Sequence, residues 1–439
     1  MTEPNSSQSL ASQSREGQPK ERLPFKTGFF YGWLIVAISA LGVFFSGPGQ
    51  TFSNAVFIES YIQDFGLDRT TVSSIYSAAT LLSGLLLFFV GRLVDRYGRR
   101  LMLTLAALLL ALACLYNSFV TGPIMLFFGF FMVRYFGQGS MTLIPNTLVS
   151  QWFMKYRGRA LSFAGLGGLL GAASFPPLVN MLIDGYGWQQ TWRLLGLALL
   201  VLFVPAAYSF VRNRPEDVGL LPDGAAEAGA AEGGVSPAIA QAEDSWTLSE
   251  ALRTRAFWFI LICGAIPAMI YTGITFQIFS ILGEQGIDRT TTAYVLSLIP
   301  LISFGCSLAS GFIVERVNVH RMLGLTFMLN IAAPVILIFA HSEAAVFAFA
   351  ISWGIAQGLM NIPMGVIWPN YYGRKHLGSI QSITTTGMVI GSALGPIPFG
   401  WAYDQFGSYN FMLIASIVIW AAGSLLAFLS PPPRRKAQR

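Results

Sequence analysis

Residues Gly66-Leu67-Asp68-Arg69-Thr70-Thr71 and Gly286-Ile287-Asp288-Arg289-Thr290-Thr291 are two copies of one hexapeptide set 220 positions apart. The same shift relates Gly91-x-x-x-Asp95-Arg96 to Gly311-x-x-x-Glu315-Arg316, and pairs Pro176, Asp184 and Gly187 with Pro396, Asp404 and Gly407. Gln138-Gly139 recurs as Gln357-Gly358, shifted by 219. A repeat this long describes two similar halves in one orientation, 29–211 and 255–430. Parallel repeats in a membrane place a binding site at their interface, near the midplane.

Composition shows that a membrane is the setting. Of 439 residues, 54% are hydrophobic and 11% charged, and the chain holds 35 Phe and 10 Trp. An average soluble domain is about a quarter charged, and a globule of this size cannot cover itself in water with less than half of that. Crossing a hydrocarbon core of about 30 Å takes roughly 20 apolar residues as a helix. Candidate spans fall near 29–61, 72–92, 100–120, 122–149, 158–183, 188–211, 255–283, 291–314, 320–341, 344–369, 377–402 and 408–430, twelve in all. Unbroken apolar runs such as Leu105–Ala113 favour helices over a barrel, whose strands would alternate. The expected fold is therefore an all-α membrane protein with twelve transmembrane helices in two parallel six-helix halves.

The net charge of +6 does not indicate nucleic acid, because the cations sit in short clusters between apolar runs. With both ends inside, the 27 Lys and Arg divide into 23 cytoplasmic, three outer (Arg69, Arg193, Arg289) and one within a span (Arg134). That bias predicts cytoplasmic termini. Residues 1–28 form a polar tail without signal-peptide character, so the first span is expected to direct insertion, as in a bacterial inner membrane. Residues 212–254, rich in Ala, Gly, Pro and acid, read as a cytoplasmic link that ends in a capping box, Thr247-Leu248-Ser249-Glu250. Residues 431–439 are a basic tail. Cys114, Cys263 and Cys306 lie in apolar runs without metal-type spacing and read as small buried hydrophobes.

The segment Gly91-Arg92-Leu93-Val94-Asp95-Arg96-Tyr97-Gly98-Arg99-Arg100, between the second and third spans, resembles the signature loop of the major facilitator superfamily. The Phe-Gly-Leu-Asp-Arg stretch at 65–69, with Gln151-Trp152-Phe153 and Arg157-Gly158-Arg159-Ala160, is similar to the oxalate/formate antiporter and monocarboxylate transporter branch. The resemblance implies a secondary transporter working by alternating access as a monomer. It also implies that Gly91, Asp95, Arg96, Gly98, Arg99 and Arg100, with Glu315 and Arg316 as a degraded second copy, latch the halves together. Carboxylate carriers of that branch commonly place an Arg in the eighth span. This chain has none there, nor a basic residue in the first or eleventh span beyond its cytoplasmic foot.

Arg134 is the only charge deep within an apolar run. An Arg at mid-bilayer costs about 2.5–3.5 kcal/mol on insertion scales, so it should face a cavity or a partner. Gln138, one turn on, shares its face. Gln50 and Asn54 lie on one face of the first span, beside a helix break expected at Gly47-Pro48-Gly49. Trp353, Gln357 and Asn361 form a stripe at helical spacing, and Tyr271, Gln277, Gln381, Thr384 and Thr385 could extend a neutral polar lining. Each could equally serve interhelical hydrogen bonding, worth about 0.6 kcal/mol on average. Glu59, toward the outer end of the first span, is the acid closest to a span interior and a candidate proton-coupling group.

These residues indicate a small organic anion, such as a monocarboxylate, moved with or without a proton. A neutral or hydrophobic cargo is the alternative, favoured by the missing anion anchors and the Trp353 wall. No phosphate loop, H-E-x-x-H, G-x-S-x-G or G-x-G-x-x-G occurs, so direct ATP drive, an enzyme, a cofactor and a bound metal are not expected.

Overall fold

The computed structural model describes residues 29–153, 156–221, 223, 246–314, 316–373 and 377–433, with the side chains of 377–379 and 381–382 excepted. The tail 1–28, residues 224–245 of the link, Glu315 and the side chain of Gln381 thus lie outside the described residues.

Twelve membrane-length helical segments occur among the described residues. The first is Gly32–Phe65, broken at Gly47–Gly49, followed by Arg69–Tyr97 and Arg99–Asn117. The fourth runs from Pro123 to Trp152 through a π-helical stretch, Arg134–Ser140. The fifth and sixth are one helical run, Arg157–Phe210, turned at Gly187, whose φ of 80° is open to glycine. The second half repeats the pattern with Arg255–Gly283, Arg289–Val314, Val319–Ile338, Glu343–Tyr372, the pair Leu377–Leu394 and Pro396–Phe406, and Asn410–Phe428. Thr247 and Glu250 form the capping box of the short helix Leu248–Leu252, which leads into the seventh span.

Both halves use the same close crossings. The first span packs on the fifth and the seventh on the eleventh. A Cβ built on Gly171 would lie 3.6 Å from the Phe44 Cα, and one on its repeat mate Gly391 would lie 3.3 Å from the Ala265 Cα. Small residues at such crossings let membrane helices gain dispersion contact without a hydrophobic drive. Between the halves, the fifth span packs on the eighth, the second on the eleventh, and the far part of the first on the seventh.

The break in the first span is built from its sequence. Pro48 has no N–H to continue the ladder, and the chain re-enters helix only after Gln50, which is extended. The freed Pro48 carbonyl is taken up by a side chain: the Asn54 amide donates to it at 3.1 Å, and also to Gln50 O at 2.8 Å. Gly49 lies directly on the π-helical stretch of the fourth span. A Cβ there would overlap the Val133 carbonyl and sit 2.7 Å from the Gln138 nitrogen and the Gly137 Cα. Gly49→Ala should therefore lower stability by about 1–3 kcal/mol, as overpacking does, read as an earlier melting transition in detergent. Gly165→Ala, where nothing lies within 4 Å of the added Cβ, is the control expected to melt like the parent.

Candidate functional site

Arg134 begins the π-helical stretch and is 2% exposed. Its Nε donates to Thr80 Oγ1 at 3.1 Å, and its Nη1 donates to Gly49 O and Thr51 Oγ1, both at 3.2 Å. The guanidinium lies 5.0 Å from the centre of the Tyr76 ring, a cation–π contact, and the Tyr76 hydroxyl donates to Thr51 Oγ1 at 2.9 Å. The cation thus ties the broken first span to the second and fourth. Its Nη2 makes no hydrogen bond among the described residues.

The Tyr76 ring meets Phe276 of the seventh span with centroids 4.2 Å apart. Five residues earlier on that helix, about 7.5 Å along its axis, stands Tyr271. Tyr271 opens a cavity of about 390 Å³ between the seventh, tenth and eleventh spans. Gln357, Asn361, Thr384 and Thr385 give it neutral polar groups, and Met360, Met364, Met388 and Trp368 line the rest. The lining steps from mid-membrane toward the face that carries the chain's described ends. Tyr271 is fixed by a 2.7 Å hydrogen bond to Asn330 Oδ1 and by ring contacts with Trp353 and Trp420. Trp353 itself is buried behind Tyr271, and its indole nitrogen has no hydrogen-bond partner.

The other expected site residues fall elsewhere. Asn54 is wholly buried in the break, and Gln50 donates to Ser46 Oγ at 3.0 Å. Gln138 is half-buried on the π-helical stretch, outside the second-half cavity. Gln277 joins the halves: its amide donates to Ser73 Oγ at 2.9 Å and accepts from the Tyr409 hydroxyl at 3.2 Å. In the signature loop, Gly98 has a φ of 85° and precedes the third span, while Arg100 donates through its backbone N–H to Asn213 and through Nε to Tyr208 O. Gly91 lies within the second span, and Asp95, Arg96 and Arg316 are exposed at the face of the chain ends. Asp95 makes no hydrogen bond or ion pair to the second half among the described residues.

The hydrogen bonds that join the halves cluster at the opposite, far face, around the repeated hexapeptide. In each copy the Asp caps its own helix: Asp68 accepts from Thr71 N at 2.9 Å and Asp288 from Thr291 N at 3.0 Å. The second span receives another cap from across the molecule. Asp404 accepts from Thr70 N at 2.7 Å and Thr70 Oγ1 at 2.5 Å, with Arg69 N at 3.4 Å, a carboxylate on the positive end of a helix. Its repeat mate Asp184 is instead held by Asn180 at 3.0 Å, and a cavity of about 320 Å³ opens among Asp184, Thr290 and Tyr294. The position of Asn180 in the other half is Gly400, where a Cβ would lie 2.7 Å from Ser73 Oγ and 2.9 Å from Arg69 O. Glycine lets Asp404 reach the first turn of the second span, whereas Asn180 at the matching place bonds Asp184 and accepts from Arg289 Nε of the other half at 3.4 Å. Arg289 crosses the gap instead, donating to Val56 O at 2.8 Å.

Glu59 sits in this cluster, paired with Arg69 at 2.9 Å. Sequence reasoning singled out neither Asp404 nor Glu284 for the site. The repeat offered a signal for both: Asp404 is the mate of Asp184, and Glu284 is the mate of Asp64, which accepts from Trp188 at 2.6 Å. Glu284 lies in the far-face loop, where desolvation pushes its carboxyl up from 4.5 to about 7, partly opposed by Arg69 and the Tyr409 backbone N–H.

Fold and site together define a multi-pass membrane protein with its halves joined at one face. Residues 39–396 match the model of the Major Facilitator Superfamily, and the chain belongs to that family. An MFS-type transporter of Gibberella moniliformis is 25% identical over 98% of this chain and 97% of the relative. The 4-hydroxybenzoate transporter PcaK of Pseudomonas aeruginosa is 27% identical over 68% of this chain and 70% of its own. Monocarboxylate transporter 2 of Rattus norvegicus is 21% identical over 90% and 82%, in keeping with the branch the sequence resembles. The crystal structure of a bacterial homolog of the human lysosomal transporter Spinster superposes with a TM-score of 0.70 at 14% identity, covering 92% of this chain and 97% of that one. It shares the fold.

The Glu284 environment sets a pH dependence for far-face closure. Opening returns the carboxyl to water and its ordinary value, so the closed form holds an extra proton between about pH 4.5 and about 7. Closure should be strongest at acid pH and weaken as pH rises through about 7. Spin labels at the far-face positions Thr121 and His341 should report the loss of the short-distance population over that window. Glu284→Gln should flatten the profile, and an unchanged profile would reject this assignment.

Proposed function

We propose that this transporter carries a small organic acid with an apolar, ring-bearing body, by alternating access. The carboxylate meets Arg134, and the body occupies the methionine- and aromatic-lined cavity of the second half. The observation that carries this reading is the buried guanidinium, whose Nη2 makes no hydrogen bond among the described residues, packed on Tyr76 against Phe276 of the seventh span, the helix whose earlier turns line the neutral cavity. A carboxylate brought to such a cation gains a charge-assisted hydrogen bond in a site with little water to compete. Relatives named for 4-hydroxybenzoate, monocarboxylate and hexuronate transport support an acidic cargo. Gln357, Asn361 and Thr384 orient the body, and Gln50, Asn54 and Gln138 hold the first and fourth spans around the anchor. Gln277 acts in closure. Gln381 remains a candidate by its place on the eleventh span.

We place proton coupling in the far-face cluster, where Glu59 and Glu284 both border Arg69. Protonation of Glu284 favours closure, as a symporter that has taken up its proton requires. The signature loop from Gly91 to Arg100, with Glu315 and Arg316, is the latch of the opposite face, released when the far face is joined. The excess of Lys and Arg at the face of the chain ends supports a cytoplasmic placement of that face; a bacterial inner membrane and a monomeric working unit are part of the same proposal.

A second reading, export of neutral hydrophobic compounds, draws on the uncharged cavity lining and on a relative named as an agnestins efflux protein. Transport by Arg134→Lys and Arg134→Gln in proteoliposomes separates the two. An organic acid such as benzoate should lose at least thirtyfold in kcat/KM in Arg134→Gln, a cost of about 2 kcal/mol for a missing charged partner. Because Arg134 also braces the first span, thermal shift of the parent protein provides a check that no variant can spoil. Benzoate should raise its melting point and benzyl alcohol should not; the reverse favours the neutral cargo.

A further inference from the structure

The two halves differ where the second span crosses the fourth and, in the repeat, the eighth crosses the tenth. The tenth span carries Gly354 and Gly358 at this crossing. A Cβ on Gly354 would lie 2.9 Å from Ile299 O, and one on Gly358 would overlap Ser303 O, so the eighth span lies backbone to backbone on the tenth. In the first half the mate of Gly354 is Tyr135, whose hydroxyl reaches Leu86 O at 3.5 Å. At Gly139, the mate of Gly358, the second span arrives with the Leu87 side chain rather than with backbone. The ring of Tyr135 thus holds the second and fourth spans apart.

The separation leaves a groove of about 370 Å³ among the second, third and fourth spans, floored by Tyr135 and Phe136 of the π-helical stretch. Its walls are apolar, and the Ser140 hydroxyl within it is spent on Tyr135 O at 2.9 Å. Leu93, Tyr97, Leu101, Leu105 and Leu109 line it and are exposed. The third span packs on the fourth and on the run of the fifth and sixth, all in its own half, so the groove opens outward to the bilayer. From Leu101 to Leu109 it runs about 12 Å along the third span. That is close to one leaflet of a hydrocarbon core about 30 Å thick. A slot of this depth and lining suits an acyl chain, which is as apolar as leucine and gains dispersion contact by filling it.

The mouth is charged. Tyr97 stands there, half exposed, and the Arg96 guanidinium lies 5.3 Å from the centre of its ring. Arg96 is exposed and makes no hydrogen bond or ion pair among the described residues, and the neighbouring Asp95 attracts Arg99. We propose that this groove is a site for an anionic phospholipid of the leaflet at the face of the chain ends, with one acyl chain against Tyr135 and Phe136 and the phosphate on Arg96. The site stands independently of the cargo, since nothing in it touches Arg134 or the second-half cavity.

Photolabelling of the full chain in phosphatidylcholine nanodiscs tests this. Phosphatidylglycerol and phosphatidylcholine probes, each with a diazirine at the same acyl carbon, are added at low mole fraction, and labelled residues are read by peptide mass spectrometry. Val201 of the sixth span, 60% exposed, provides the reference for ordinary lipid contact. Labelling at Leu105, Leu109 and Phe136, relative to Val201, should favour phosphatidylglycerol about fivefold, as expected for one arginine near an anionic headgroup. Arg96→Gln should bring the two probes level and Arg96→Lys should keep the preference. Both variants are at an exposed position where folding is undisturbed. Ala106→Phe, which fills the groove, should reduce its labelling by both probes and leave Val201 unchanged. Equal labelling of groove and reference by the two probes in the parent protein would overturn the site, as would a preference that survives Arg96→Gln. Displacement of the phospholipid label by palmitate would reassign the groove to a free fatty acid and overturn the phospholipid.

Discussion

A guanidinium buried at mid-membrane must be surrounded by acceptors, and the first half is organised around that requirement. Arg134 finds them where the first span breaks. The Gly49 carbonyl is free because the chain is extended at Gln50 and Ser53 N turns to Gln50 O, and the cation takes it. Each feature would be costly alone: an unpaired charge on one helix, an open carbonyl on another. Together they satisfy one another, and the π-helical stretch at Arg134–Ser140 lets the fourth span lie against Gly49. The second half has Trp353 at the corresponding place and so needs no broken partner. Its seventh span runs unbroken from Arg255 to Gly283, and its cavity is neutral.

The repeat makes two similar halves, and function requires that they differ. At the far face the two hexapeptides cap their own helices in the same way, with Asp68 and Asp288. The residues that meet them from the other half do not match. Gly400 admits the first turn of the second span, so Asp404 reaches its N–H groups; Asn180 at the matching place occupies Asp184. One crossing is a helix cap by Asp404, and the other runs through Arg289, which donates to Val56 O and Asn180 Oδ1. The Asp404 cap borders Arg69, which pairs with Glu59 and lies near Glu284.

Much of this was legible in the residues. Apolar run lengths located the twelve helices, because a bilayer offers no other partner for a backbone amide than the helix itself. The break at Gly47-Pro48-Gly49 and the capping box at Thr247–Glu250 are local chemistry and were readable as such. The polar stripe of Gln357 and Asn361 does reach the cavity, with Tyr271 and Thr384. Gln277 shows the limit. Its polarity within an apolar span indicated a partner, but nothing in the order of residues says whether that partner is a ligand or Ser73 of the other half.

The sequence by itself determined the solvent, the helix count, the duplication and the presence of one intramembrane cation, since these follow from composition and period. Tertiary structure decided what each polar group meets. It gave two of Arg134's nitrogens to the protein and left one, set Asp404 on a helix end over three hundred residues away in the chain, and opened a groove beside Tyr135. The physical reason is that hydrophobic period depends on neighbours along the chain, whereas hydrogen-bond partners depend on which helices cross and how closely, and a single glycine can change that.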